Sequence, residues 1–180
     1  KLPLRVLIVG GSQGARIFNR VLPEALTRLA PEFRPQLWHQ TGKLEHGKTE
    51  AAYHRAGIEA RVAAFIEDMA AAYAWADVVI CRAGAMTIAE LAAAGLGAVL
   101  VPYPFATDDH QTANAEYLVS REAAILIPEA QFDAQGVADL LARFTRAPQA
   151  LQKLAHNARA CAVPDATARV ADVCLEAAHA

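Results

Sequence analysis

Apolar residues along this chain fall into short unbroken runs, separated by longer stretches in which they recur every three or four positions. Arg5–Val9 is the first run, and Gly14–Ala30 follows it with Ile17, Val21, Ala25 and Leu29 at helical spacing. The pairing repeats with a strand over Gln36–Gln40 and a helix from Leu44 to Ala56, then a strand over Arg61–Phe65 and a short helix from Asp68 to Trp75. A strand over Val78–Cys81 precedes a helix from Thr87 to Ala94, and Ala98–Val101 precedes a helix over Asp109–Ser120. Ala124–Ile127 is a sixth strand, after which only helical patterns remain, over Asp133–Phe144, Pro148–Ala160 and Asp165–Ala178. Strands that do not alternate polar and apolar residues are buried on both faces, which calls for a parallel sheet covered by helices. Right-handed crossovers then give one doubly wound, Rossmann-like α/β domain of about six strands with C-terminal helices, spanning residues 1–180.

Composition narrows the function classes. Lys and Arg number 17 against 19 Asp and Glu, a net charge of −2, and 54% of residues are hydrophobic. That excludes a disordered chain, and no basic surface is implied that would draw nucleic acid or anionic lipid. The 3 cysteines, Cys81, Cys161 and Cys174, are far apart and form no metal-type pair, so a reducing compartment is expected. The opening KLPLRVLIVGG runs straight into a glycine loop and reads as a strand instead of a signal peptide. The uncharged stretch Leu91–Ala106 is broken by Gly95, Gly97, Pro102 and Pro104, which argues against a membrane span. The chain does not begin with Met, which allows it to be a piece of a longer protein.

In a doubly wound sheet ligands bind beyond the carboxyl ends of the strands, so the loops at Gly10–Gly14, Thr41–Lys43, Phe65–Met69, Arg82–Thr87 and Pro102–Gln111 hold the candidates. Gly10–Gly14 (GGSQG) suits close approach of backbone amides to an anion, with the Ser12 hydroxyl as a further donor; the alternative is a tight turn with Ser12 as helix N-cap. It is neither a dinucleotide fingerprint nor a P-loop. Around Gly84, a second helix start aims at the same crevice, and two such N-termini suit a pyrophosphate. Glu90 there either accepts hydrogen bonds from a ribose diol or closes a capping box with Thr87. Asp108, Asp109 and His110 are adjacent residues entering a helix and cannot converge on one ion, so no metal site is expected. Asp108 with Gln111 has capping-box spacing, while Gln111 and Asn114 also suit a polar ligand. His39, His46, His54, His156 and His179 lack a partner at catalytic spacing, and Cys81, Trp38 and Trp75 read as packing residues.

The loops taken together resemble a known family. GGSQGAR at Gly10–Arg16, HQTGK at His39–Lys43, FIEDMAAAY at Phe65–Tyr73, ADVVICRAGAMTIAE at Ala76–Glu90, DDHQTANA at Asp108–Ala115 and PDAT at Pro164–Thr167 match, in order, motifs of the MurG family. These are the inverting N-acetylglucosaminyltransferases that convert lipid I to lipid II in peptidoglycan synthesis. The resemblance implies one half of a GT-B fold, the C-terminal donor domain, with the acceptor domain, membrane-facing patch and proposed catalytic base in an N-terminal half not present here. It implies no cofactor and no catalytic residue in this domain. For the donor UDP-N-acetylglucosamine it implies contacts from Gly11, Ser12 and Gln13 to the diphosphate, and from Ile66 with Phe65 and Met69 to uracil. Amides of Ala85, Met86 and Thr87 would reach phosphate or sugar, Glu90 the ribose, and Gln111 with His110 the N-acetylglucosamine hydroxyls. Some relatives carry Gln where His110 stands. The implied location is cytoplasmic, with the whole protein peripheral on the inner membrane. Two other readings share parts of this pattern: an epimerase acting on UDP-N-acetylglucosamine, and a non-catalytic nucleotide-binding module.

Overall fold

The computed structural model describes residues 3–11, 14–106 and 109–178. Six strands, β1 (Arg5–Val9), β2 (Gln36–Gln40), β3 (Arg61–Ala63), β4 (Val78–Cys81), β5 (Ala98–Leu100) and β6 (Ala124–Leu126), form one sheet in the order β3-β2-β1-β4-β5-β6. Every pairing is parallel, with Ile8 of β1 in register between His39 of β2 and Ile80 of β4. The chain winds one way from β1 to β3 and the other way from β4 to β6, so the crevice between β1 and β4 is the switch point.

Successive residues of β1 point to opposite faces, and each face is apolar. Val6 and Ile8 belong to a core layer with Phe18, Leu22, Leu141 and Phe144, under α1 (Arg16–Thr27) and a later helix, Ala134–Arg146. Leu7 and Val9 belong to the other layer, with Val79, Leu91, Leu100 and Leu118. Burial of side chains of this size stabilises by roughly 1.5–3 kcal/mol each before conformational entropy is charged against it. The remaining helices are α2 (His46–Arg55), α3 (Met69–Trp75), α4 (Ala85–Ala94), α5 (His110–Val119), α6 as given above, α7 (Pro148–Ala160) and α8 (Ala166–Ala178). No residue of α8 is buried, and its Val170, Val173 and Leu175 are exposed.

Several boundaries differ from expectation, and three of them for local reasons that bear on the site. Helix α1 starts at Arg16 because Gly14 takes a left-handed φ of +74° and Ala15 stays extended, so the N-cap is Ala15 and not Ser12. Strand β3 ends at Ala63, where its pairing with Gln40 ends, and leaves Phe65 in a loop. Helix α4 starts at Ala85, two residues before Thr87, because Gly84 is the extended N-cap and its carbonyl accepts from Ile88 at 3.0 Å.

Candidate functional site

Gly10 and Gly11 follow β1 directly, and Gly14 lies back against them. The Gly14 N–H donates to Gly11 O at 2.9 Å, and a methyl group on Gly14 would stand 2.0 Å from Thr41 O. Gly11 and Gly14 are thus held against the end of β2, where Gln40 Nε2 donates to Gly11 O at 2.9 Å and Asn19 Nδ2 donates to Thr41 O at 3.0 Å. His39 is fully buried with Nδ1 2.9 Å from Tyr53 Oη, and burial pushes its imidazole down to about 3, so it stays neutral. The HQTGK motif therefore acts as scaffolding for the glycine loop. Gly11 is exposed with open space on its Cβ side; Ser12 and Gln13 lie outside the described residues.

On the neighbouring strand, β4 leads to Gly84 and the start of α4. Ile88 makes the helix's first bond, so the amides of Ala85, Met86 and Thr87 have no partner within it, and among the described residues no side chain caps them. Ala85 and Met86 are exposed. The peptide just before is clamped from α5: Ala83 N–H donates to Gln111 Oε1 at 3.2 Å, and Asn114 Nδ2 donates to Ala83 O at 3.1 Å. Gln111 Oε1 also accepts from Tyr103 N–H at 3.0 Å. Arg82 binds the carbonyls of Val101 and Pro102, both at 3.1 Å, and pairs with Glu129 at 2.5 Å. These contacts fix the β4 loop against the β5 loop, and with them the direction of α4.

Glu90 does not close a capping box. Six residues into α4, its carboxylate cannot reach the helix start, and Oε2 instead accepts from Tyr73 Oη at 2.8 Å. The N-cap of α5 is Asp109, with φ +51°, whose Oδ1 accepts from Thr112 Oγ1 at 2.7 Å. Asp108 lies outside the described residues, and His110 is the exposed first residue of α5. Gln111 spends its oxygen on backbone, which leaves its amide nitrogen as the atom to offer a ligand; Asn114 spends its nitrogen on Ala83.

Past β3, Phe65 is half exposed and Ile66 buried, and Asp68 caps α3 by accepting from Ala71 N–H at 2.8 Å. Met69, the first residue of α3, packs against the core layer that holds Ile66 and Tyr73. A groove of about 520 Å³ runs along this edge between Phe65, Ile66, Arg61 and Trp38, whose indole stacks under the Arg61 guanidinium at 3.5 Å. Another, of about 400 Å³, lies by Arg5, Asp77 and Phe144 at the opposite end of the strands, where a doubly wound sheet does not place its ligand. Among the described residues no group of three or more His, Cys, Asp or Glu is placed to hold a metal ion, and no helix is long and apolar enough to cross a membrane.

Residues read from separate loops thus converge on one edge. Gly11 and the α4 amides lie at the switch point, Gln111 joins the β4 and β5 loops beside them, and Phe65, Ile66 and Met69 lie beyond β3, linked to Glu90 through Tyr73. Sequence reasoning did not single out Asn19, Gln40, Tyr73 or Arg82 for a role. Their contacts are between side chains and distant backbone or side-chain groups, which leave no periodic trace in the sequence.

A doubly wound sheet with two helix starts at its switch point, neither capped by a side chain among the described residues, is an architecture suited to a nucleotide or phosphate. Residues 5–170 match the model of the glycosyltransferase family 28 C-terminal domain, and the chain belongs to that family. It is 54% identical, over 97% of its length, to the UDP-N-acetylglucosamine–N-acetylmuramyl-(pentapeptide) pyrophosphoryl-undecaprenol N-acetylglucosamine transferase of Stutzerimonas stutzeri, and 53% identical over 98% of its length to that of Azotobacter vinelandii. It spans 49% of each of those proteins, about half their length. Among solved structures, Acinetobacter baumannii MurG superposes with a TM-score of 0.87 at 42% identity, covering 95% of this chain and 51% of that one. The glycotransferase of kitacinnamycin superposes at 0.67 with 21% identity, over 97% of this chain and 43% of that one, a likeness of fold alone.

Proposed function

We propose that this chain is the donor-binding half of an inverting glycosyltransferase that moves N-acetylglucosamine from UDP-N-acetylglucosamine to the muramoyl C4 hydroxyl of lipid I, forming lipid II. The observation that carries the reading is the pair of helix starts, α1 and α4, on adjacent strands at the switch point. As the glycosidic bond breaks, negative charge grows on the diphosphate. Preorganised amides there bind the developing charge better than the ground state, which lowers the barrier without a divalent metal. Gly11, Ser12 and Gln13 line the diphosphate, Ile66 flanked by Phe65 and Met69 receives uracil, and Glu90 takes the ribose hydroxyls. The Gln111 amide nitrogen, with His110 beside it, faces the sugar.

The other half of the protein supplies the acceptor site, the catalytic base and the contact with the cytoplasmic face of the inner membrane. Exposed Leu44, Phe65, Tyr103 and Phe105 stand on loops at the carboxyl ends of the strands and Met86 in the first turn of α4, an edge suited to being covered by that half. Amide hydrogen exchange with and without UDP-N-acetylglucosamine tests the assignment. Protection is expected at residues 65–69, 84–90 and 110–111, with no lipid II formed from lipid I by this chain alone. Protection confined to the groove by Arg5 and Asp77, or lipid II made by the chain unaided, would overturn it.

A further inference from the structure

We propose that Tyr73 is a positioning residue for the Glu90 carboxylate, and that it thereby sets the preference of the site for ribonucleoside over 2′-deoxyribonucleoside diphosphates. The inference rests on the reading of Glu90 as the ribose ligand. Glu90 is exposed on α4, where a glutamate side chain ordinarily samples many rotamers. Tyr73 is only 8% exposed, its ring belongs to the core layer of Ile66, Val79 and Leu91, and its hydroxyl donates to Glu90 Oε2 at 2.8 Å. A rigid phenol thus holds one carboxylate oxygen and leaves the other for a vicinal diol. A ligand that meets a prepositioned carboxylate does not lose the entropy of ordering it.

The chemistry around the pair keeps the phenol a donor. Burial, then the hydrogen bond to Glu90 and its charge, hold the Tyr73 hydroxyl protonated well beyond the usual phenol range. Cys81 at the end of β4 is pushed up to about 12 by burial and by the Glu90 charge, so it remains a neutral thiol. The position in the fold is equally specific. Helix α3 carries Tyr73 and directly follows the loop of Phe65 and Ile66, whereas α4 carries Glu90 and begins with the amides proposed to meet the diphosphate. The Tyr73–Glu90 bond joins the base side of the site to its phosphate side, and in a nucleotide the ribose lies between those two.

Tyr73→Phe keeps the ring and removes the donor. The 180-residue chain, this variant, Glu90→Gln and the double variant would each be titrated calorimetrically with UDP and 2′-deoxy-UDP, with melting temperatures measured alongside. The wild type should favour UDP. Tyr73→Phe should lose about five-fold in UDP affinity, the size of one hydrogen bond, with 2′-deoxy-UDP nearly unaffected. Adding it to Glu90→Gln should cost nothing more, because both act through one contact. If Tyr73→Phe retains the full wild-type preference, whatever its melting temperature, the hydroxyl only satisfies its own burial and the inference is overturned while the Glu90 reading stands. A wild type with no preference between the two ligands, or no affinity for UDP, removes the Glu90 reading and this inference with it.

Discussion

Gly14 and Gly11 differ in what a side chain would meet, although both adopt positive φ, +74° and +82°. At Gly14 a Cβ would collide with the Thr41 carbonyl at 2.0 Å, whereas at Gly11 it would enter open space. Gly14→Ala should therefore combine left-handed strain with a backbone clash and cost about 2–4 kcal/mol, while Gly11→Ala should cost only about 1–2 kcal/mol of strain. Urea unfolding of the two variants measures the difference, and a Gly14→Ala protein as stable as wild type would contradict the buttressed loop. The sequence shows that GGSQG is a turn rich in glycine, but not which glycine is obligatory. That depends on Thr41, which is brought alongside only by the β1–β2 pairing.

Among elements, β1, β2, β4 and α7 occupy the residues expected from apolar runs and helical spacing, because burial on both faces writes itself into consecutive residues. The start of α4 was not legible: Thr87 and Glu90 have capping-box spacing, yet Gly84 in extended conformation begins the helix sooner. Gln111 hid its role in the same way, since a side chain that bonds the backbone of two other loops has no local signature. Gln111→Ala would leave the Ala83 and Tyr103 N–H groups without their acceptor, lowering stability by about 1–3 kcal/mol. Gln111→Glu keeps the acceptor and removes the amide donor. It should hold the melting temperature and UDP affinity near wild type while reducing the extra affinity for UDP-N-acetylglucosamine over UDP. An unchanged melting temperature in Gln111→Ala would remove the clamp from the account.

For the whole molecule, strand order and crossover hand place five loops from distant parts of the sequence on one edge, and that edge is legible in the sequence because the β/α alternation dictates it. What alternation cannot convey is how the edge is stiffened. Arg82 lies 14% exposed between Glu129 and two carbonyls, and in sequence it is one arginine after an apolar strand. On the proposed function the parts of the edge divide the ligand: amides of two helix starts would meet the diphosphate, the Glu90 carboxylate the diol, and the backbone of buried Ile66 the planar base. On that reading they would together select a uridine diphosphate over other anions. Calorimetric titration of the chain with UDP-N-acetylglucosamine, UDP and ADP tests this most directly. The account predicts that both uridine nucleotides bind and that ADP binds at least ten-fold more weakly, about 1.4 kcal/mol; ADP binding as tightly as UDP would contradict it.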